Sequence, residues 1–120
     1  MGRSNELGAW GEEKAVRYLT RRGYQILDRN FRSRFGEIDI IAKKGDELVF
    51  VEVRLRRSTA HGTPEETVDH RKQEKLRKTA QYYLLCNPTE LQPRFDVLAL
   101  YAHKGTDTWP LPLKHIKNAF

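Results

Sequence analysis

The chain predicts an α/β fold with a mixed central sheet flanked by helices, and three observations carry that prediction. The element pattern runs α-β-β-β-α-β. Two apolar runs, Glu37–Lys43 and Glu47–Leu55, meet at a tight Lys44-Gly45-Asp46-Glu47 turn and so form an antiparallel meander. Their apolar residues fall on both faces, as in central strands covered on each side.

Each element has its own signal. From about Asn5 to Arg22, Leu7, Trp10, Ala15, Tyr18 and Leu19 recur at helical spacing, and Gly23 supplies the stop. Tyr24–Asp28 alternates as a strand does, and Phe31–Phe35 reads as a basic loop or a strand extension. Arg56–Pro64 is a polar connection containing Gly and Pro. A long helical pattern then runs from about Glu65 or Val68 to Leu85, stopped by Asn87-Pro88. Arg94–Tyr101 reads as a strand with Phe95, Val97 and Leu98 as core candidates. The third strand, second helix and fourth strand predict a right-handed crossover to a parallel strand. The closing stretch, with Trp109, Leu111, Leu113 and Ile116, reads as an edge strand or an irregular tail that packs back.

At 120 residues the chain has room for one core and one domain, 1–120. Its net charge is +6 and arginine outnumbers lysine, which favours a polyanionic partner, nucleic acid before an anionic membrane surface. No apolar run approaches the roughly 20 residues that span a bilayer. The amino terminus lacks the apolar stretch of a signal peptide. One cysteine, Cys86, excludes an internal disulfide and a multi-cysteine zinc site, and it reads as half-buried near a helix end. These features describe a reducing, cytoplasmic chain with no membrane role.

The hairpin register carries the functional signal. With Gly45-Asp46 as a two-residue loop, Lys44 pairs with Glu47, and counting back sets Asp39 opposite Glu52. Like charges opposed on one sheet face are destabilising unless a cation lies between them. A divalent metal, Mg²⁺ or Mn²⁺, is the leading candidate. Metal-assisted phosphodiester cleavage needs hard oxygen ligands and positive charge near the phosphate. Asp39 and Glu52 supply the oxygens. Arg54 lies two residues beyond Glu52 on the same face. Glu12 shares the inward helical stripe of Ala15 and Leu19, so it needs a partner.

The set Gly11-Glu12, Gly23-Tyr24, Arg29-Asn30, Gly36-Glu37-Ile38-Asp39, Phe50-Val51-Glu52-Val53, Arg56, Lys72, Arg94-Phe95-Asp96 and Asn118-Ala119-Phe120 spans nearly the whole chain. As a set it resembles the PD-(D/E)XK nuclease superfamily. More closely, it resembles the UPF0102 or YraN-like family of predicted endonucleases, related to archaeal Holliday-junction resolvases. The resemblance implies a restriction-endonuclease-like fold and metal ligation by Asp39 and Glu52, with Glu12 as an accessory acid. The motif's usual lysine is Arg54 here. Arginine holds a phosphate and stabilises charge, but it cannot take a proton from water. Lys72 offers a replacement, since it shares the row Val68, Lys72, Leu76, Ala80, Leu84 on the inward helix face.

Blander readings stand beside these. Asp39 and Glu52 can be neutralised by arginines, and Arg54 falls opposite Glu37 in the same register. Glu12 can pair with Lys14 or Arg17 on the helix surface. Asp96 reads as a structural partner for an arginine. The histidines at 61, 70, 103 and 115 show no ligand spacing. The basic residues form three groups: Arg29, Arg32 and Arg34; Arg54, Arg56 and Arg57; Arg71, Lys72, Lys75 and Lys78. Two of them flank the acids in sequence, as a phosphate-tracking groove requires.

The sequence therefore predicts a divalent-metal-dependent DNA endonuclease, acting on branched or otherwise non-standard DNA. Asp39, Glu52, Arg54 and Lys72 would carry catalysis, and Arg32, Arg34, Arg56, Arg57, Arg71 and Lys75 would contact the nucleic acid. The competing reading is a non-catalytic nucleic-acid-binding module that lost the motif lysine; a third is an adaptor binding protein through the Trp109–Ile116 tail. Cutting two strands needs two sites, so a homodimer fits the nuclease reading, although no residue specifies one.

Overall fold

In the computed structural model, residues 4–57 and 68–120 are described. The order is α1 (Ser4–Arg21), β1 (Gln25–Ser33), β2 (Gly36–Lys44), β3 (Glu47–Arg56), α2 (His70–Cys86), β4 (Gln92–Tyr101), a 3-10 turn (Gly105–Asp107) and β5 (Leu113–Ile116). The strands form one sheet in the order β1-β2-β3-β4-β5. Only β3 and β4 are parallel among these neighbours, and every other pair is antiparallel. This is the mixed α/β, restriction-endonuclease-like architecture that the sequence predicts. Most of the Arg56–Pro64 connection, His61 and the Glu65 helix start lie outside the described residues.

Alternation along β3 divides the core into two layers. Val49 and Val51 point to Ala15 and Leu19 of α1, while Leu48 and Phe50 point to Leu76, Ala80 and Tyr83 of α2. The helices therefore cover opposite faces, and β3 is buried on both. Helix α1 closes with Gly23 N–H donating to Thr20 O and Tyr24 N–H to Leu19 O, each at 3.0 Å. Helix α2 starts at Asp69, whose carboxylate accepts from Lys72 N–H at 2.9 Å. The hairpin turn is the expected two-residue loop, with Gly45 at φ 61 in the first central position, where a side chain would be strained.

Two open readings are decided in favour of strands, and one expectation, for Cys86, needs correction. Strand β1 continues through Phe31–Ser33, because Phe31 packs edge-on against Tyr83 at 5.1 Å between ring centres. Cys86 is exposed, because it ends α2 on the helix's outward side. The tail does add a strand, and Phe120 stacks on Phe95 at 5.1 Å, but Trp109 stays 83% exposed. Among the described residues, no helix is long and apolar enough to cross a membrane.

Candidate active site

The sheet forks between β2 and β3. Their paired register runs from Lys44–Glu47 to Ile40–Val51 and stops one step short of Asp39–Glu52. Beyond that point β2 stays with β1 as far as Ser33–Gly36, and β3 stays with β4 as far as Arg56–Tyr101. Asp39 and Glu52 thus fall opposite one another by count, but they do not form a ladder pair. Instead, Val53 N–H donates to Asp39 Oδ2 at 2.8 Å, a side chain serving where strand pairing has ended.

Both acids are confined there. Glu52 is buried, at 7% exposure. Burial, then the charge of Glu52, pushes the Asp39 carboxyl up to about 7; the Val53 N–H works against this, and Glu12 and Glu37 add to the rise. Three other carboxylates therefore act on Asp39. Burial of Asp39 is the largest of these effects.

Two cations meet Glu52. Lys72 Nζ and Arg54 Nε each lie 3.5 Å from Glu52 Oε2. Lys72 comes from the first turn of α2 and Arg54 from β3 itself, so the amine predicted from the helical row does reach the acid. The Arg54 side chain is 21% exposed and that of Lys72 is 41% exposed, so the lysine faces solvent more. Glu37 meets Arg32 at 3.5 Å.

Glu12 arrives from the other side of the sheet. Gly11 permits it: a Cβ there would stand 3.3 Å from the Leu55 side chain, so α1 approaches β3 closely at this point. Asn30 Nδ2 donates to Glu12 Oε1 at 3.1 Å, and Arg29 lies 3.8 Å from the same oxygen. Arg29 and Asn30 are therefore its partners. Asn30 sits in β1 across from Asp39 at a step missing from the ladder, with φ 54. That left-handed conformation is one asparagine tolerates, and it turns the amide toward Glu12. Sequence reasoning gave Asn30 no role. The available signal was its place, with Arg29, in the set of residues that carries the family resemblance.

The nucleic-acid candidates divide by place. Arg32 and Arg34 line a groove of about 670 Å³ with Lys78 of α2. Arg71 and Lys75 lie on the exposed side of α2. Arg56 is half-buried at the end of β3 and Arg57 is exposed just after it. The three basic groups thus lie on different elements, and of their members Arg32, Arg34 and Lys78 share a groove. His115 belongs elsewhere. Its Nε2 lies 2.7 Å from Asp96 Oδ2, on the α1 side of the sheet.

Among the described residues, no group of three or more His, Cys, Asp or Glu side chains is arranged to enclose a metal. The fork offers two acids, with a third held by Asn30. Mg²⁺ is commonly bound by one or two carboxylates together with waters and substrate phosphates, so two hard oxygen donors suit it in kind.

Comparison with known proteins gives a consistent outcome. The profile described as "Uncharacterised protein family UPF0102" matches residues 11–100. A UPF0102 protein of Persephonella marina is 51% identical over 94% of this chain and 91% of its own length. One from Syntrophomonas wolfei is 46% identical over 98% of this chain and 99% of its own. One from Rhodococcus opacus is 45% identical over the full length of both. The matched span includes Glu12, Asp39, Glu52, Arg54 and Lys72.

Proposed function

The chain belongs to the UPF0102 family, and from that membership and the geometry at the fork we propose that it is a divalent-metal-dependent endonuclease that hydrolyses phosphodiester bonds in DNA. The observation that carries this reading is the state of Asp39. Its carboxyl is held up to about 7 by burial and by Glu52, an arrangement that costs stability and that a cation would relieve.

Asp39 and Glu52 would hold Mg²⁺ or Mn²⁺, with Glu12 as an accessory acid steadied by Asn30. Bound there, the cation would supply Lewis-acid polarisation of the phosphate and activation of water. The chain's own residues do the rest. Val53 N–H fixes the Asp39 carboxylate by holding Oδ2. Arg54 and Lys72 hold Glu52 by Oε2, and both lie where a phosphate entering the fork would find donors for its charged oxygens. Arg54, the more buried, suits charge stabilisation. Lys72, on the helix and more exposed, suits contact with the attacking water or the leaving oxygen. The surrounding arginines and lysines would track the backbone, with no recognition helix to read base edges.

The test is incubation of purified protein with four-way junction, duplex and single-stranded DNA in Mg²⁺ or Mn²⁺, beside Asp39→Asn and Glu52→Gln. Cleavage that needs metal and disappears in both variants supports the nuclease. Salt-sensitive binding without cleavage supports the second reading, a binding module on the same fold. The observation favouring that reading is Arg54 in the motif position, since arginine cannot serve as a base.

A further inference from the structure

The groove between the β1–β2 turn and α2 has features that backbone tracking leaves unused. Its rim carries Arg32, Arg34 and Lys78, and among the described residues no acidic side chain lines it. Beside the polar Ser33 and Gln81, its walls carry Phe35, Tyr82 and Leu85. Tyr82 is 44% exposed and Leu85 is 79% exposed, an unusual amount of apolar surface for a helix otherwise rich in cations. The cations are drawn over the aromatic wall, with Arg34 at 5.0 Å and Lys78 at 5.8 Å from the Phe35 ring centre. A cationic rim beside an exposed tyrosine ring is the chemistry by which single-stranded nucleic acid is held, phosphates on the charges and a base on the ring.

Place decides which nucleic acid. Lys72, at the fork, and Tyr82 lie on the same helix, and a rise of ~1.5 Å per residue separates them by about 15 Å along its axis. Lys75 and Lys78 lie between them. A strand whose phosphate reaches Glu52 and which follows this row would bring a nearby nucleotide over the groove. In a duplex the bases are stacked and paired, so their faces are unavailable to Tyr82. We propose that this groove receives an unpaired base of the DNA strand bound at the fork, so that the substrate is DNA with a single-stranded flap or branch beside the scissile phosphate. The proposal rests on the nuclease reading only for the path of the strand.

The test is a binding measurement that does not depend on cleavage. Fluorescence anisotropy in EDTA compares a short duplex bearing a thymidine flap, the same duplex with an abasic flap, and a blunt duplex. The thymidine flap binds about tenfold more tightly than the abasic one, which keeps the phosphates and loses the bases. Tyr82→Ala and Leu85→Ser reduce that difference to about twofold, whereas Tyr82→Phe retains it. Both positions are exposed, so folding is preserved and checked by circular dichroism. Equal binding of the two flaps overturns the proposal, as does a difference that survives both variants. Self-association that Leu85→Ser abolishes, with the flaps bound alike, assigns the groove to a second copy of the chain and also overturns it. A flap preference without cleavage in Mg²⁺ upholds the groove and overturns only the nuclease reading.

Discussion

Asp39 on β2 and Asp96 on β4 flank the same central strand, and both are carboxylates set among apolar residues, yet their surroundings are opposite. Asp96 is fully buried and richly partnered. Arg94 donates through Nε to Oδ1 at 2.9 Å and through Nη2 to Oδ2 at 2.8 Å, His115 Nε2 lies 2.7 Å from Oδ2, and Asn118 N–H donates to Oδ1 at 3.0 Å. Burial alone would raise its carboxyl, but the hydrogen bonds from His115, Arg94 and Asn118 outweigh it and hold the group below its ordinary value. Asp39 receives one backbone N–H and faces another acid, and it is pushed up to about 7. The first acid stabilises the fold. The second is perturbed by burial and by its neighbouring acid, the kind of perturbation that points to a candidate site and that Asp96 lacks.

The largest way to break this contrast is to remove the partnered acid. Asp96→Ala takes a buried partner from His115 and from the Arg94 guanidinium, which keeps Glu47 and Tyr24, and should lower unfolding free energy by about 3–5 kcal/mol, read from urea denaturation. Asp39→Asn should act in the other direction. In chelator at pH 8 it removes an unfavourable buried charge and should stabilise by on the order of 1–3 kcal/mol while eliminating cleavage. A loss of stability in that variant would equate the two acids and end the comparison.

The pH dependence sharpens it. In the folded chain Asp39 keeps its proton up to about 7, whereas unfolded it ionises near 3.8, so the folded form binds more protons between those values. Metal-free stability should therefore fall as pH rises through that window, and Asp39→Asn should flatten the slope. For Asp96 the sign reverses: its contribution is complete above 3.8 and is lost as pH falls through its depressed value. That acid limb should survive in Asp39→Asn. The smallest effect is Tyr18→Phe, which removes the 3.1 Å contact between the Tyr18 hydroxyl and His115 Nδ1 and should cost about 1 kcal/mol.

The two acids were not equally legible. Asp39 and Glu52 could be found because a two-residue turn fixes register over a few residues, and Lys72 because a helical row repeats its inward face. Counting could not show that the strands part at Ile40–Val51, since divergence depends on what each strand pairs with on its outer side. The Arg94–Asp96 pairing was readable because the two residues lie two apart on one strand. His115 was not, because its contacts with Asp96 and Tyr18 join residues 19 and 97 apart in sequence. Asn30 was given no role for a local reason: it fell between the Tyr24–Asp28 strand pattern and the Phe31–Phe35 segment, and a positive φ leaves no periodic signal.

Titration of the purified protein with Mn²⁺ by calorimetry at neutral pH, alongside Asp39→Asn and Asp96→Asn, tests the central claim most directly. The account predicts that the wild-type chain binds the ion with release of protons, as a carboxyl held up to about 7 must ionise to become a ligand. It predicts that Asp39→Asn loses this binding and that any folded Asp96→Asn protein keeps it. Mn²⁺ binding that is unchanged in Asp39→Asn, or absent from the wild-type chain, would contradict it.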